Sequence, residues 1–329
     1  FIGSNFIPYF MSTYPGYRII NLDILGYAAN TDNLKELAGN PRYQLVKGDV
    51  CSRELLIRLF AQYDIQGVIH FAAETHVDNS INGPGKFIKT NVEGTFAVLE
   101  AARWYWMASP GKYRPGYEKC RLHHISTDEV YGSLGPVGHF TEESLCRPSS
   151  PYSASKAAAD MVVMSYFRTY GMNVVITRCS NNYGPKQHGE KFIPTIIRKA
   201  LAGEKIPVYG DGRNVRDWLY VLDHCRAIYL VYHRGRAGEI YNIGASNERE
   251  NLNIVRGICG ILDQAEPGRL RRYRLKSFAD LIAFVADRPG HDRRYALDTS
   301  KIEKELGWKA REEFGEGLKK TVGWYLHHE

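Results

Sequence analysis

The stretch YRIINLDI, residues 17–24, is short, rich in branched apolar side chains, and ends next to a carboxylate at Asp23. It reads as a buried strand whose C-terminal end faces a ligand. The same texture returns at residues 43–46, in VIHFAA (68–73), in RLHHIS (121–126) and at residues 174–177. Between these runs lie longer segments with helical spacing, at residues 52–63, 86–106 and 152–170. Strand and helix in alternation predict a parallel sheet covered on both faces, an α/β doubly wound domain.

After about Cys179 the texture changes. Gly and Pro become frequent, as in NYGP (182–185) and VYGDG (208–212), and the elements shorten. Such segments suit a smaller C-terminal α/β lobe that closes over a substrate. The expected division is a cofactor domain at 1–178, to which 217–245 returns, and a substrate-binding lobe made of 179–216 and 246–329.

Composition narrows the class. The 329 residues carry a net charge of +7, but 36 acidic residues are interspersed among 43 basic ones. The densest basic run, RLRRYRLK (269–276), reads as a solvated surface segment. No recognisable nucleic-acid module is present, so no nucleic-acid partner is expected. No stretch approaches the roughly 20 apolar residues that a membrane span requires, and nothing at the start reads as a signal peptide. The six cysteines lack CxxC spacing, which argues against a disulfide framework and a metal site and for a reducing cytoplasm.

A dinucleotide site needs a glycine-rich turn after the first strand, so that backbone N–H groups meet the pyrophosphate at a helix N-terminus. Phe1-Ile-Gly3-Ser-Asn reads as the tail of such a turn, so the domain's first strand is expected to precede residue 1. Asp23 lies twenty residues beyond Gly3, where an acidic residue binds ribose hydroxyls and disfavours a 2′-phosphate; NAD is therefore expected over NADP. Asp49 and Val50 after the next strand, and Phe71, Ala72 and Ala73 after the one following, add further cofactor contacts. Asp49 would accept from the adenine amine, and the small alanines would let backbone lie against the cofactor.

Tyr152-Ser-Ala-Ser-Lys156 follows Pro151 at the start of a helical run. Positions i and i+4 share a helix face, so phenol and ammonium project together. A phenol with a reference pKa near ~10 needs roughly 4 kcal/mol of differential stabilisation to titrate three units lower; a neighbouring Lys⁺ favours that shift. YxxxK alone is weak, since such pairs are common on surfaces. His124-Ile-Ser-Thr127-Asp128-Glu129 makes it specific, because it places a hydroxyl and two carboxylates at a strand's C-terminal end. Thr127 would hydrogen-bond the oxygen that Tyr152 deprotonates, and the adjacent carboxylates can divide acid and base roles.

Together, HHISTDEVYG, SSPYSASKAAAD, RCSNNYGP, EKFIP, RDWLYVLDH, YNIG and DRPGHDRRYALD resemble the dTDP-glucose 4,6-dehydratases of the extended short-chain dehydrogenase/reductase family. The resemblance runs from Phe1 to the C-terminus. It implies a Rossmann-like cofactor domain, bound NAD, and conversion of dTDP-glucose to its 4-keto-6-deoxy product in deoxysugar biosynthesis such as that of rhamnose. Tyr152, with Lys156 and Thr127, would take the 4-hydroxyl proton as hydride leaves carbon 4. Glu129 would abstract the proton at carbon 5, and Asp128 would protonate the departing 6-hydroxyl. Ser126 and Asn91 would line the cofactor. Thr75 and His76 would approach the sugar, while Asn182, Lys191, Arg216, Asn251, Arg288 and His291 would contact the nucleotide. A cytoplasmic homodimer packed through residues 86–106 and 152–170 is also implied. The chain departs from the family pattern at Asn79, where Arg is common, and at LCRP (145–148). CDP-glucose and GDP-mannose dehydratases share the chemistry with other base pockets. A catalytically silent NAD-binding regulator is the reading of a different class; it has no need of Tyr152, Lys156, Asp128 and Glu129 together.

Overall fold

The computed structural model describes residues 1–328. The chain enters through helix α1 (Ile2–Thr13), followed by β1 (Ile19–Asp23), β2 (Tyr43–Lys47), α2 (Arg53–Tyr63) and β3 (Gly67–His70). After a helical stretch come α3 (Gly94–Trp106), β4 (Arg121–Thr127), α4 (Pro151–Tyr170) and β5 (Val174–Cys179). Later, β6 (Ile240–Ile243) returns to this part of the fold. The order β6-β5-β4-β3 forms one sheet, and every pairing in it is parallel.

The alternation in β5 shows why the sheet is covered twice. Val174 and Ile176 enter a cluster with Leu122, Val163 and Trp106, on the side of α3 and α4. Val175 and Cys179 enter a second cluster with Ala227, Val231 and Ile243 on the opposite side. Successive strand residues point to opposite faces, so a strand apolar on both parities must be sandwiched between helices.

β1 and β2 pair with each other in parallel and stand apart from the four-stranded sheet; among the described residues no strand hydrogen-bonds to both β1 and β3. Side chains bridge the interval, since Ile19 of β1 and Ile69 of β3 join Phe6, Phe10, Ile125 and Val221 in one apolar cluster.

Two segments differ from the sequence reading. Residues 86–106 are not one helix: a π-helical stretch at Ile88–Glu93 precedes α3. It carries Asn91, whose side chain accepts from the Glu74 N–H at 2.8 Å and donates to Ser155 Oγ at 2.8 Å; a widened turn of this sort re-aims a side chain that a regular helix would direct elsewhere. The segment 217–245 also divides. Its start lies in a strand, Val215–Tyr220, that pairs with Asn181–Tyr183 and Glu248–Glu250 in a separate three-stranded sheet. Only the helix Val221–Arg234 and β6 lie against the larger sheet.

The lobe has its own core, in which Ile193, Ile197, Val208, Trp218, Val255, Ile258, Phe278 and Val322 are all nearly or fully buried. A parallel strand pair, Ile206–Tyr209 with Ile282–Val285, completes it. Among the described residues, no helix is long and apolar enough to cross a membrane.

Candidate active site

The C-terminal end of β4 breaks into a single 3-10 turn, Asp128–Tyr131, capped by Thr127. The Thr127 hydroxyl accepts from the Glu129 N–H and donates to Asp128 Oδ1, both at 3.3 Å. Gly132 closes the turn at φ 82°, and the Arg147 N–H donates to the Val130 carbonyl at 3.0 Å. A Cβ at residue 132 would lie 2.2 Å from the Arg147 carbonyl oxygen, so no other residue fits there without moving the turn.

Helix α4 begins opposite this turn. Ser150 caps it in a reciprocal pair with Ser153, each side chain accepting from the other's backbone N–H at 3.0–3.1 Å, and Pro151 occupies the first turn. That start places Tyr152 and Lys156, both buried, one above the other. Lys156 Nζ donates to the Ile125 carbonyl at 2.8 Å, and the Thr127 hydroxyl acts on the Tyr152 phenol to oppose the rise that burial imposes. Residues from one strand end, the turn that follows it and one helix start thus meet around one point: Thr127, Asp128 and Glu129 with Tyr152 and Lys156.

The electrostatics separate the carboxylates. Burial pushes Asp128 well above the usual carboxylate range, and the neighbouring Glu129 pushes it further. Burial also raises Glu129, but Arg288, Arg216 and Lys191 all oppose that rise. Asp128 is thereby suited to hold a proton and Glu129 to accept one. Burial raises the Tyr152 phenol and lowers Lys156 to about 8, with Asp160 opposing the latter shift.

The lobe brings cations to this cleft. Arg216 stacks 4.2 Å over the Tyr295 ring and donates to the Asp292 carbonyl at 2.8 Å. Arg288 reaches Asp78 across the cleft at 3.3 Å, and Lys191 donates to the Thr75 carbonyl at 2.8 Å. His291 pairs with Asp287 at 2.6 Å. Asn182 is already engaged, its amide oxygen facing His224 Nδ1 at 2.8 Å and its NH2 donating to the Ser180 carbonyl. His76 is a helix cap, its Nδ1 accepting from the Asn79 N–H at 3.3 Å. Asn251 opens the helix Asn251–Ala265, its N–H donating to the Asn214 carbonyl. Asn79 donates to Tyr27 at 3.3 Å. Asp78 and Tyr295 escaped the sequence reading. Tyr295 lies inside the quoted DRPGHDRRYALD run, whereas nothing in the neighbourhood of Asp78 marks it as an arginine partner.

The residues proposed for NAD fit such a group. Ser126 Oγ is buried in the site with no hydrogen-bond partner in the protein. Gly3 lies in the first turn of the twelve-residue α1, where a Cβ would meet only open space. Asp23 ends β1, one of its oxygens accepting from the Leu25 N–H. Asp49 makes a similar turn contact with the Cys51 N–H at 2.9 Å, and Val50 is buried against α3 beside Gly94. Phe71, Ala72 and Ala73 leave β3 as irregular backbone, with Phe71 packed against Phe6.

A family model described as GDP-mannose 4,6 dehydratase matches residues 1–321. A dTDP-glucose 4,6-dehydratase from Xanthomonas campestris pv. campestris is 52% identical over 326 residues, covering 99% of this chain and 90% of the relative. The crystal structure of dTDP-glucose 4,6-dehydratase from Bacillus anthracis in complex with NAD superposes with a TM-score of 0.86 at 44% identity, covering 100% and 94% of the two chains. A UDP-glucose 4-epimerase from Thermotoga maritima, with UDP-glucose, follows at 27% identity and a TM-score of 0.83, covering 100% and 96%.

Proposed function

The chain belongs to the dTDP-glucose 4,6-dehydratase family, and we propose that it converts dTDP-glucose to dTDP-4-keto-6-deoxyglucose and water through the residues gathered at the ends of β4 and α4. One observation carries this reading: two carboxylates on one turn, Glu129 with three cations about it and Asp128 with fewer, face a buried Tyr–Lys pair. An epimerase needs the redox pair, whereas an elimination needs an acid and a base besides.

Tyr152 takes the proton of the 4-hydroxyl, assisted by the Lys156 charge and oriented by the Thr127 hydroxyl. Gly3, Asp23, Asp49, Val50, Phe71, Ala72, Ala73, Asn91 and Ser126 would hold NAD, which when bound would supply a hydride acceptor for carbon 4 and a hydride donor for carbon 6. The ketone acidifies carbon 5, and Glu129 removes that proton, returning it to carbon 5 once carbon 6 has received hydride. Asp128 gives its proton to the leaving 6-hydroxyl, which departs as water. Arg216, Arg288 and Lys191 stabilise the ionised Glu129 and match the phosphate oxygens of the nucleotide. Thr75, His76, Asn182, Asn251 and His291 complete the sugar-nucleotide cradle.

The test is an assay with dTDP-, CDP- and UDP-glucose and GDP-mannose for the 4-keto-6-deoxy product. Turnover strongest with dTDP-glucose is expected, and preference for another base would overturn the substrate assignment.

The product suits deoxysugar pathways such as rhamnose synthesis in the cytoplasm. We also infer a homodimer. Phe96 and Trp104 on α3 and Met161 on α4 are exposed, whereas Trp106 and Tyr166 of the same helices are buried in the core. Sedimentation of a Phe96→Arg variant as a monomer would support that surface, and an unchanged dimer would reject it.

A further inference from the structure

A second set of buried polar groups stands behind Lys156, and the reaction above uses none of them. Tyr152, Lys156 and Asp160 occupy i, i+4 and i+8 of α4 and so share a face. Asp160 Oδ2 accepts from Arg178 Nε of β5 at 2.9 Å. Its Oδ1, in a site closed to solvent, has no hydrogen-bond partner and lies 3.5 Å from His124 Nε2 of β4. That same nitrogen stands 3.3 Å from Lys156 Nζ. One ring nitrogen thus faces an ammonium and a carboxylate. It accepts from Lys156 in one tautomer and donates to Asp160 in the other, serving one partner at a time.

We propose that Asp160, fixed by Arg178 and relayed through His124, is a positioning residue that keeps the Lys156 ammonium charged and aimed at Tyr152. The proposal rests on the Tyr152–Lys156 reading above.

The surrounding groups leave few other sources of charge. Burial holds His70 near 3 and drives His123 and His124 well below their ordinary value, so all three are neutral. On β5, Cys179 is pushed up to about 12 by burial, and Tyr131 on the 3-10 turn likewise. Burial raises Cys146 on the loop before α4 as well. Asp128 and Glu129 lie on the Tyr152 side, both raised. From α3, Glu100 and Arg103 pair with each other beside Tyr166, more than two turns along α4. Among the described residues packed around Lys156, the remaining charges are the paired Asp160 and Arg178, and of these Asp160 raises the lysine. Without the Asp160 charge, Arg178 and Lys156 would be two buried cations. The lysine would give up its proton first, because a guanidinium does not.

The test follows the Lys156 side-chain amine directly by NMR titration, assigned with Lys156→Arg, alongside the pH profile of carbon 4 oxidation by the NAD-bound enzyme. Asp160→Asn is expected to lower the Lys156 midpoint by about one unit or more and to draw the alkaline limb of oxidation down with it. The double variant Asp160→Asn/Arg178→Met removes both charges and is expected to lower the midpoint less than Asp160→Asn alone. Where Asp160→Asn does not fold, Arg178→Met alone carries the test with opposite sign, raising the midpoint. A folded single variant with an unmoved Lys156 midpoint overturns the proposal, whatever its stability. Undiminished dehydration by Lys156→Arg overturns instead the reading on which it rests.

Discussion

The two halves of the active site are built in different ways. Tyr152 and Lys156 sit on a twenty-residue helix with a reciprocal serine cap, and Lys156 is held by the main chain of the central sheet. Asp128 and Glu129 sit on a four-residue turn, and the cations that keep Glu129 ready to ionise, Arg288, Arg216 and Lys191, come from the lobe. The redox pair is thus assembled within the cofactor domain, whereas the acid–base pair depends on lobe and domain meeting. With substrate bound at saturation, oxidation should therefore be less sensitive than elimination to the charges that the lobe places around Glu129.

The largest effect that would break this comparison belongs to Tyr152. Tyr152→Phe is expected to slow both carbon 4 oxidation and product formation by on the order of 10³-fold, seen as loss of both the reduced-cofactor absorbance and the 4-keto sugar. Selective loss of elimination would place Tyr152 in the wrong half. Asp128→Asn should slow elimination by about 10²-fold while leaving oxidation in place, so that a 4-keto sugar still bearing its 6-hydroxyl accumulates. Untouched elimination would end the acid assignment.

Smaller still is the effect of Arg216→Met, which sharpens the dependence on the lobe. Glu129 works ionised, and its folded-state pKa is already raised by burial. Removing an opposing cation raises it further, so the acidic limb of product formation should move to higher pH, while the oxidation step keeps its profile. An unmoved limb would show that the lobe does not tune the base. Least of all, Ser150→Ala should cost about 1 kcal/mol of stability by removing the cap of α4, measured by thermal unfolding, with the acidic limb unchanged.

Much of the central sheet was legible because its strands are apolar on both parities and alternate with helices, a pattern that local sequence carries. The Tyr–Lys face and the Thr-Asp-Glu turn were legible for the same reason, as each lies within one element. The π-helical turn under Asn91 was not, since nothing in residues 86–106 announces an extra residue in the turn. The placement of Val215–Tyr220 in the smaller sheet depends on partners tens of residues away in both directions. His76 fits equally as a sugar contact or a cap, and only the backbone path makes it the cap of Val77–Asn82. Asp160 and Arg178 read as ordinary polar positions in a helix and a strand, because their burial is a property of the folded pair.

Gly132 touches no reactant, yet it sets how far the eliminating turn stands from the segment that leads into the oxidising helix. The spacing between the two catalytic elements is therefore set by a residue with no side chain and no chemistry of its own, since φ 82° and the Arg147 carbonyl leave room there for glycine alone.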